Sequence, residues 1–276
     1  MNPVDVIRGD GPVILGMPHT GTWLPDEVFS RLNVNGRLLA DTDWHIDRLY
    51  DGLLPDATVV RAVFHRYVID PNRDPKGASL YPGQNTTGLV PMSDFDGLYI
   101  WDQPPDETEI DARIKQFHAP YHKALSAELF RVRERHGVAI LYDCHSIRST
   151  IPHLFEGRLS DFNIGTADSA SCALAVADEV RKNCEKADGY TSILNGRFKG
   201  GWTTRRYGWP PNGIHAIQME LAQSTYLASE SMPFDYDQEQ AGRVRVHLRA
   251  ILQALERLAP ELAEHREPQP SEDRHE

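Results

Sequence analysis

Cysteine is scarce: three in 276 residues, Cys144, Cys172 and Cys184. An odd count at those spacings matches neither a disulfide framework nor a four-cysteine zinc site, and a reducing cytoplasm is the simplest home for it. Apolar runs are short, and none approaches the roughly 20 residues that span a bilayer. The opening MNPVDVIRGD lacks the basic-then-apolar order of a secretory leader. Positive charge is in deficit, with 29 Lys+Arg against 40 Asp+Glu and a formal net charge of −11. Such a surface is not built to neutralise nucleic-acid phosphates or anionic lipid, so neither a nucleic acid nor a membrane is an expected partner. A small cluster of arginines around one small anion remains compatible with that balance. There is no internal repeat, no phosphate-binding glycine loop, no dinucleotide fingerprint and no G-x-S-x-G nucleophile elbow.

What is present is an ordinary globular mix, 40% hydrophobic and 25% charged. The length suits one large core, and a single domain is expected over residues 1–260. From about Pro260 the chain turns polar, charged and proline-containing, which predicts a disordered acidic tail over 261–276. Short apolar runs at 12–16, 57–63, 138–142 and 216–221 read as strands buried on both faces. Amphipathic stretches at 43–53, 106–136, 169–186 and 237–258 read as helices, with Pro120 as a break or first-turn residue. Strands alternating with helices predict an α/β fold, a layered sandwich around a mixed, mainly parallel sheet. Residues 74–102 and 195–213, rich in Pro, Gly, Asn and Thr, read as long ordered loops, which at that length are usually functional.

Two histidines follow expected strands, His19 in MPHTG and His145 in YDCHS. In α/β sheets ligands gather at the carboxyl ends of strands, so the two can converge. Neutral imidazole is the commonest zinc ligand, and a catalytic zinc takes three protein ligands. A lone histidine there is more often hydrogen-bonded to backbone; two of them, flanked by Pro, Gly, Asp and Ser, raise the metal alternative. A carboxylate is the natural third ligand, and DTDWHID at 41–47 offers Asp41, Asp43 and Asp47. Asp43 and Asp47, four apart, share one face of an expected helix, so one could coordinate while the other orients a ligand. The alternative is an Asp-rich helix start favoured by the helix dipole. His118 and His122 are also four apart, but no Glu follows His118 and Pro120 intervenes, so a surface or supporting role is expected for them.

Asp70-Pro71-Asn72-Arg73-Asp74-Pro75 encloses an amide and a guanidinium between two prolines. An Arg fork in a rigid turn suits a carboxylate; otherwise Arg73 simply pairs with Asp70 or Asp74. Arg205 and Arg206, or Arg148, could meet a second carboxylate, with an ordinary surface ion pair as the default for each. Glu220 is the lone acid in the apolar run 216–222. Burying a carboxylate costs several kcal/mol unless it is paired or used. Burial would raise its pKa toward the range of a general base, and pairing with an arginine is the competing explanation.

These segments together resemble the N-formylglutamate amidohydrolase family. The matching pieces are MPHTG at 17–21, DTDWHIDRLYD at 41–51, RYVIDPNRDP at 66–75 and PYHKAL at 120–125. They continue with DCHSIRS at 143–149, GRFKGGWTTRRYG at 196–208 and IQMELAQSTYL at 217–227. They run in order over about 10–230. The resemblance implies a metallohydrolase with the α/β/α architecture of zinc carboxypeptidases and aspartoacylase-like deacylases. It implies hydrolysis of N-formyl-L-glutamate to formate and L-glutamate, a step of histidine degradation. His19, His145, Asn72-Arg73 and Glu220 match the relatives by order and context. Those relatives place an acidic ligand three residues after the first histidine, where this chain has Thr22. The acid must come from elsewhere, Asp43 first and Asp47 second. The implied set is therefore Zn2+, or cobalt, manganese or iron in its place, on His19, Asp43 and His145. Glu220 is the implied base, Asn72 and Arg73 grip one substrate carboxylate, and Arg148, Arg205 or Arg206 the other. Two alternatives stand beside it: another N-acyl amino acid or small-peptide metallo-amidohydrolase, and a non-catalytic binder of small dicarboxylates.

Overall fold

A computed structural model of the chain describes residues 2–79 and 83–264. Seven strands form one sheet: β1 (Val4–Ile7), β2 (Val13–Met17), β3 (Thr58–Ala62), β4 (Ala139–Ile147), β5 (Phe162–Gly165), β6 (Ser192–Leu194) and β7 (Ile214–Ala222). Their spatial order is β1-β3-β2-β4-β7-β5-β6. The four central strands are mutually parallel, β1 pairs antiparallel to β3, and β5 antiparallel to β7. The expected mixed, mainly parallel sheet is thus present. Runs 12–16, 57–63, 138–142 and 216–221 all lie on the central strands. β1, β5 and β6 escape the sequence pattern because each has only three or four residues, too few for a period to show.

The helices are α1 (Asp26–Phe29), α2 (Ile46–Tyr50), α3 (Glu107–Arg113), α4 (Ala119–His136), α5 (Leu174–Glu185), α6 (Trp202–Tyr207) and α7 (Gln238–Glu264). They cover both faces of the sheet. Leu15, Tyr142, Cys144 and Met219 pack with α2, α5 and α7 on one side. Ile14, Val60, Leu141 and Ala216 pack with α4 on the other. Alternate residues of each central strand enter different cores, which is why those strands read as continuous apolar runs. Among the described residues no helix is long and apolar enough to cross a membrane.

The final helix differs from expectation at its end. Asp237 Oδ1 caps its start, accepting from the N–H groups of Glu239 and Gln240 at 2.9 Å each. Leu248, Ile251, Leu252, Leu255, Ala259 and Leu262 then form one buried stripe at helical spacing. That stripe carries the helix through Pro260 to Glu264, although an interior proline costs about 3 kcal/mol. Residues 261–264, placed in the tail by composition, are therefore helical, and the remainder of the expected tail lies outside the described residues.

The two faces of α7 make a direct test. Leu248→Ala opens a hole in the core and should cost about 2–5 kcal/mol in equilibrium urea unfolding. Val246 is 66% exposed on the opposite face, and Val246→Ala should stay within about 0.5 kcal/mol.

Candidate active site

The chain leaves β2 toward one sheet edge through β3 and returns to the other side with β4, so the carboxyl ends of β2 and β4 border a topological switch point. His19 stands two residues beyond the end of β2. β4 runs further than the apolar run suggests, to Ile147, so His145 lies within the strand. Its register partner on β7 is Glu220, and Asp143 pairs likewise with Gln218. Side chains alternate along a strand, so Asp143, His145, Gln218 and Glu220 all project to the side that carries α4. Cys144 and Met219 project into the opposite core. The Cys144 thiol is accordingly buried, and burial pushes its pKa well up.

Asp43 comes to the same point from a loop. Its N–H donates to His19 O at 3.1 Å, while Gln223 Nε2 donates to Thr42 O and Tyr226 Oη to Trp44 O. The segment 42–44 is thus tied to the ends of β2 and β7. Asp43 Oδ2 lies 3.1 Å from His145 Nδ1 and 3.7 Å from His19 Nδ1. The ligating atoms of these three buried residues all lie within 4.8 Å of one another. Burial alone would raise the Asp43 pKa, but hydrogen bonding and charge from His145 and His19 outweigh it and hold the carboxyl well below its usual range.

The remaining nitrogen of each imidazole meets another buried carboxylate. His19 Nε2 is 2.7 Å from Asp70 Oδ1. Against the upward push of burial, Arg66 and then His19 keep Asp70 well below its usual pKa, so the carboxylate accepts and His19 Nε2 donates. His145 Nε2 lies 3.3 Å from Asp143 Oδ1, a buried acceptor that has no aligned hydrogen bond. Asp143 Oδ2 accepts from Thr204 Oγ1 at 2.9 Å. Burial would depress the His145 pKa, but Asp143 foremost and Asp43 after it raise it well above the ordinary value. Both Nδ1 atoms therefore face Asp43 and both Nε2 atoms face a carboxylate. This donor set fits a divalent transition metal: two imidazoles and one carboxylate, with an acid behind each imidazole to fix its orientation. The buried His19-Asp43-His145 group could bind such an ion.

Asp47 does not join them. Asp43 precedes α2 rather than lying on it, so the expected shared helical face does not form. Asp47 instead pairs with Arg61 at 2.6 Å on the protein surface. Asp41 is buried nearby, accepting from Phe95 N–H at 3.1 Å, and burial pushes its pKa up to about 7.

A pocket opens over the trio and is lined by Glu220, Asn72, Arg66, Arg73 and Arg197 among others. Burial pushes the Glu220 carboxyl up to about 8, in the direction the sequence indicates. Gln218 Nε2 donates to Glu220 Oε2 at 3.2 Å, and Gln218 Oε1 accepts from Gly201 N–H at 2.7 Å. Asn72 is gripped closely: Thr203 N–H donates to its Oδ1 at 2.9 Å, and its Nδ2 lies 3.2 Å from His145 Nε2. A Cβ at position 201 would stand 2.2 Å from Asn72 Nδ2, so only glycine admits the amide there. Arg73 donates to Thr87 O and Thr87 Oγ1, and Arg197 to Leu154 O and Asn85 O. Arg66 pairs with Asp70 at 2.5 Å, and its guanidinium lies over Phe95.

Arg148, Arg205 and Arg206, expected at a second carboxylate, do not line this pocket. Arg148 pairs with Asp96 at 2.9 Å. Arg205 and Arg206 are exposed on α6, Arg205 donating to Gly200 O and Arg206 lying over Trp202. That short helix turns its amino end, not its basic last turn, toward Asn72. Besides Arg73, the cations that do line the pocket, Arg66 and Arg197, carry no local signal in the sequence that separates them from surface arginines. Asp143 was accessible from the sequence, because it lies two residues before His145 and a strand turns both the same way.

The sequence model of a family described as N-formylglutamate amidohydrolase matches residues 11–227. The chain is 47% identical over 251 residues to an N-formylglutamate deformylase of Pseudomonas putida, covering 90% of this chain and 93% of that protein. It is 45% identical over 251 residues to an N-formylglutamate deformylase of Pseudomonas aeruginosa, covering 90% and 94%. The crystal structure of an N-formylglutamate amidohydrolase from Ralstonia eutropha superposes with a TM-score of 0.76 at 26% identity, covering 92% of this chain and 98% of that one. A protein of Agrobacterium tumefaciens shares the fold, with a TM-score of 0.71 at 21% identity over 94% of this chain and 96% of its own. Matched over most of its length by that family's pattern and by close relatives, the chain belongs to the N-formylglutamate amidohydrolase family.

Proposed function

We propose that the chain hydrolyses N-formyl-L-glutamate to formate and L-glutamate, the substrate that the names of its two Pseudomonas relatives state. The observation that carries the proposal is the His19-Asp43-His145 trio, with His145 in register with a buried glutamate, beneath a pocket lined by three arginines in an otherwise acidic protein. His19 Nδ1, one Asp43 oxygen and His145 Nδ1 would hold the metal. A divalent transition metal there, zinc as first choice, would supply a Lewis acid for the formyl oxygen and for water, and its positive charge would favour the ionised form of the nearby Glu220.

Glu220 is the general base in this scheme: its carboxylate takes a proton from the attacking water and returns it to the departing amide nitrogen. Gln218 holds one of its oxygens, which restricts the direction in which the other faces the pocket. Asp70 keeps the His19 imidazole in one tautomer, and Asp143 stands as a buried charge 3.3 Å behind His145, so both rings stay turned toward Asp43. The dianionic substrate is held at its two carboxylates by guanidinium forks and amides. Asn72 and Arg73 take one carboxylate, and Arg197, which lines the same pocket, takes the other.

Formate release from N-formyl-L-glutamate should be measurable with the purified protein, fall to background after chelation and return with zinc. No release from any zinc- or cobalt-loaded sample would exclude this substrate. Glu220→Gln should lower kcat by about 100- to 10,000-fold while the metal content per chain stays unchanged; near-normal turnover would show that another group moves the proton. Arg197→Ala removes charge-assisted hydrogen bonds and should raise KM by about tenfold or more. Arg205→Ala, on the exposed side of α6, should leave KM where it was, and steady-state kinetics separates the two.

A further inference from the structure

Among the described residues His118 and His122 belong to no group of three or more that could hold a metal, and they do not line the pocket, yet both are buried. His118 Nε2 lies 3.0 Å from Arg73 O, and His122 Nε2 lies 2.8 Å from Pro71 O. A carbonyl oxygen only accepts, so each of these nitrogens carries a hydrogen and donates it. His122 Nδ1 is then an acceptor, and Tyr207 Oη stands 3.0 Å from it, able to donate. Burial lowers both imidazole pKa values, that of His122 to about 3, which keeps the rings neutral and the tautomers single.

The two carbonyls they hold flank Asn72. The turn's other backbone groups are spent as well: Asn72 N–H donates to Asp70 Oδ1 at 2.8 Å and Arg73 N–H to Asp70 O at 3.2 Å. The helix that supplies the histidines is shaped for the purpose. Between α3 and α4 it widens into a π turn over Ile114–His118, just ahead of Pro120, which has no N–H to give back to that turn. The rings of His118 and His122 lie 4.5 Å apart, and the Trp202 indole packs against both. Trp202 opens α6, whose next residue donates its N–H to Asn72 Oδ1.

We infer that His118 and His122 are positioning residues, whose Nε2–H groups grip the Pro71 and Arg73 carbonyls and so aim the Asn72 amide and Arg73 guanidinium at a substrate carboxylate. The inference rests on the reading that this turn binds a carboxylate of N-formyl-L-glutamate. It gives the sequence's i,i+4 histidine pair a role one step removed from the chemistry.

Leucine at either position deletes the donor, whereas glutamine places an amide N–H close to where Nε2 stood. His118→Leu and His122→Leu should each raise KM for N-formyl-L-glutamate about tenfold, with kcat within about threefold and unchanged metal content. His118→Gln and His122→Gln should recover most of the lost affinity. Unchanged KM in the leucine variants would overturn the inference, and so would glutamine variants as impaired as the leucine ones. Should the wild-type chain not turn over this substrate, the reading of the turn fails separately. Nitrogen-15 imidazole spectra of the full chain at pH 7 then decide whether the carbonyls are held. Both rings are expected as neutral Nε2–H tautomers, and a cationic or Nδ1–H ring at either position would overturn the inference.

Discussion

The parallel register of β4 with β7 puts His145 beside Glu220 and Asp143 beside Gln218, and strand alternation turns all four to one face. A slip of one residue would send His145 and Glu220 into the opposite core and bring Cys144 and Met219 to the pocket. That slip is opposed by both cores at once, because β4 and β7 are buried on both faces along their whole length. The other members of the site are fastened to this pair. His19 arrives from β2, the strand beside β4, and Asp43 is held to His19 by a backbone hydrogen bond. Asn72 reaches the same place through the turn that also supplies Asp70.

Concentrating so much charge in one spot is unfavourable unless each group is paired. Asp43, Asp70, Asp143 and Glu220 are all buried, and the positive partners beside them are two imidazoles, Arg66 and Arg73. Asp70 shows how the arrangement holds together. One of its oxygens takes His19 and the Asn72 N–H, and the other takes Arg66. A single carboxylate thereby links the metal-ligand candidate, the Asn72-Arg73 turn and a pocket arginine. Glu220 is the exception, since Gln218 is its side-chain partner and burial pushes its carboxyl upward. A protein with a net charge of −11 thus directs three arginines at one small cavity and leaves its surface acidic.

The central strands, the helices and the residues His19, Asp43, Asn72, Arg73, His145 and Glu220 were legible because each stands where local chemistry is unusual. A lone acid in an apolar run, a histidine at a strand end and an amide-guanidinium pair between prolines are anomalies that a short window contains. Asp47 and the second carboxylate's arginines were misplaced for the opposite reason. The 43–47 pairing assumed a helix that starts only at Ile46. Arg148, Arg205 and Arg206 stand near conspicuous residues, but adjacency in the chain says nothing of which way a short helix faces. His118 and His122 had the right spacing, and their target, two backbone carbonyls some 45 to 51 positions away, lies beyond any local pattern.

By itself the sequence determined the α/β class, the two strand-end histidines and the acid placed in a core strand, because hydrophobic period and turn chemistry act over a few residues. Only the tertiary structure decided which acid joins the two histidines, which arginines line the pocket and what stands behind each imidazole. Those choices depend on distances between segments that approach one another only once the sheet is assembled. The same holds for Pro260: the chain's local preference ends the helix there, and the buried stripe through Leu262 carries it on to Glu264.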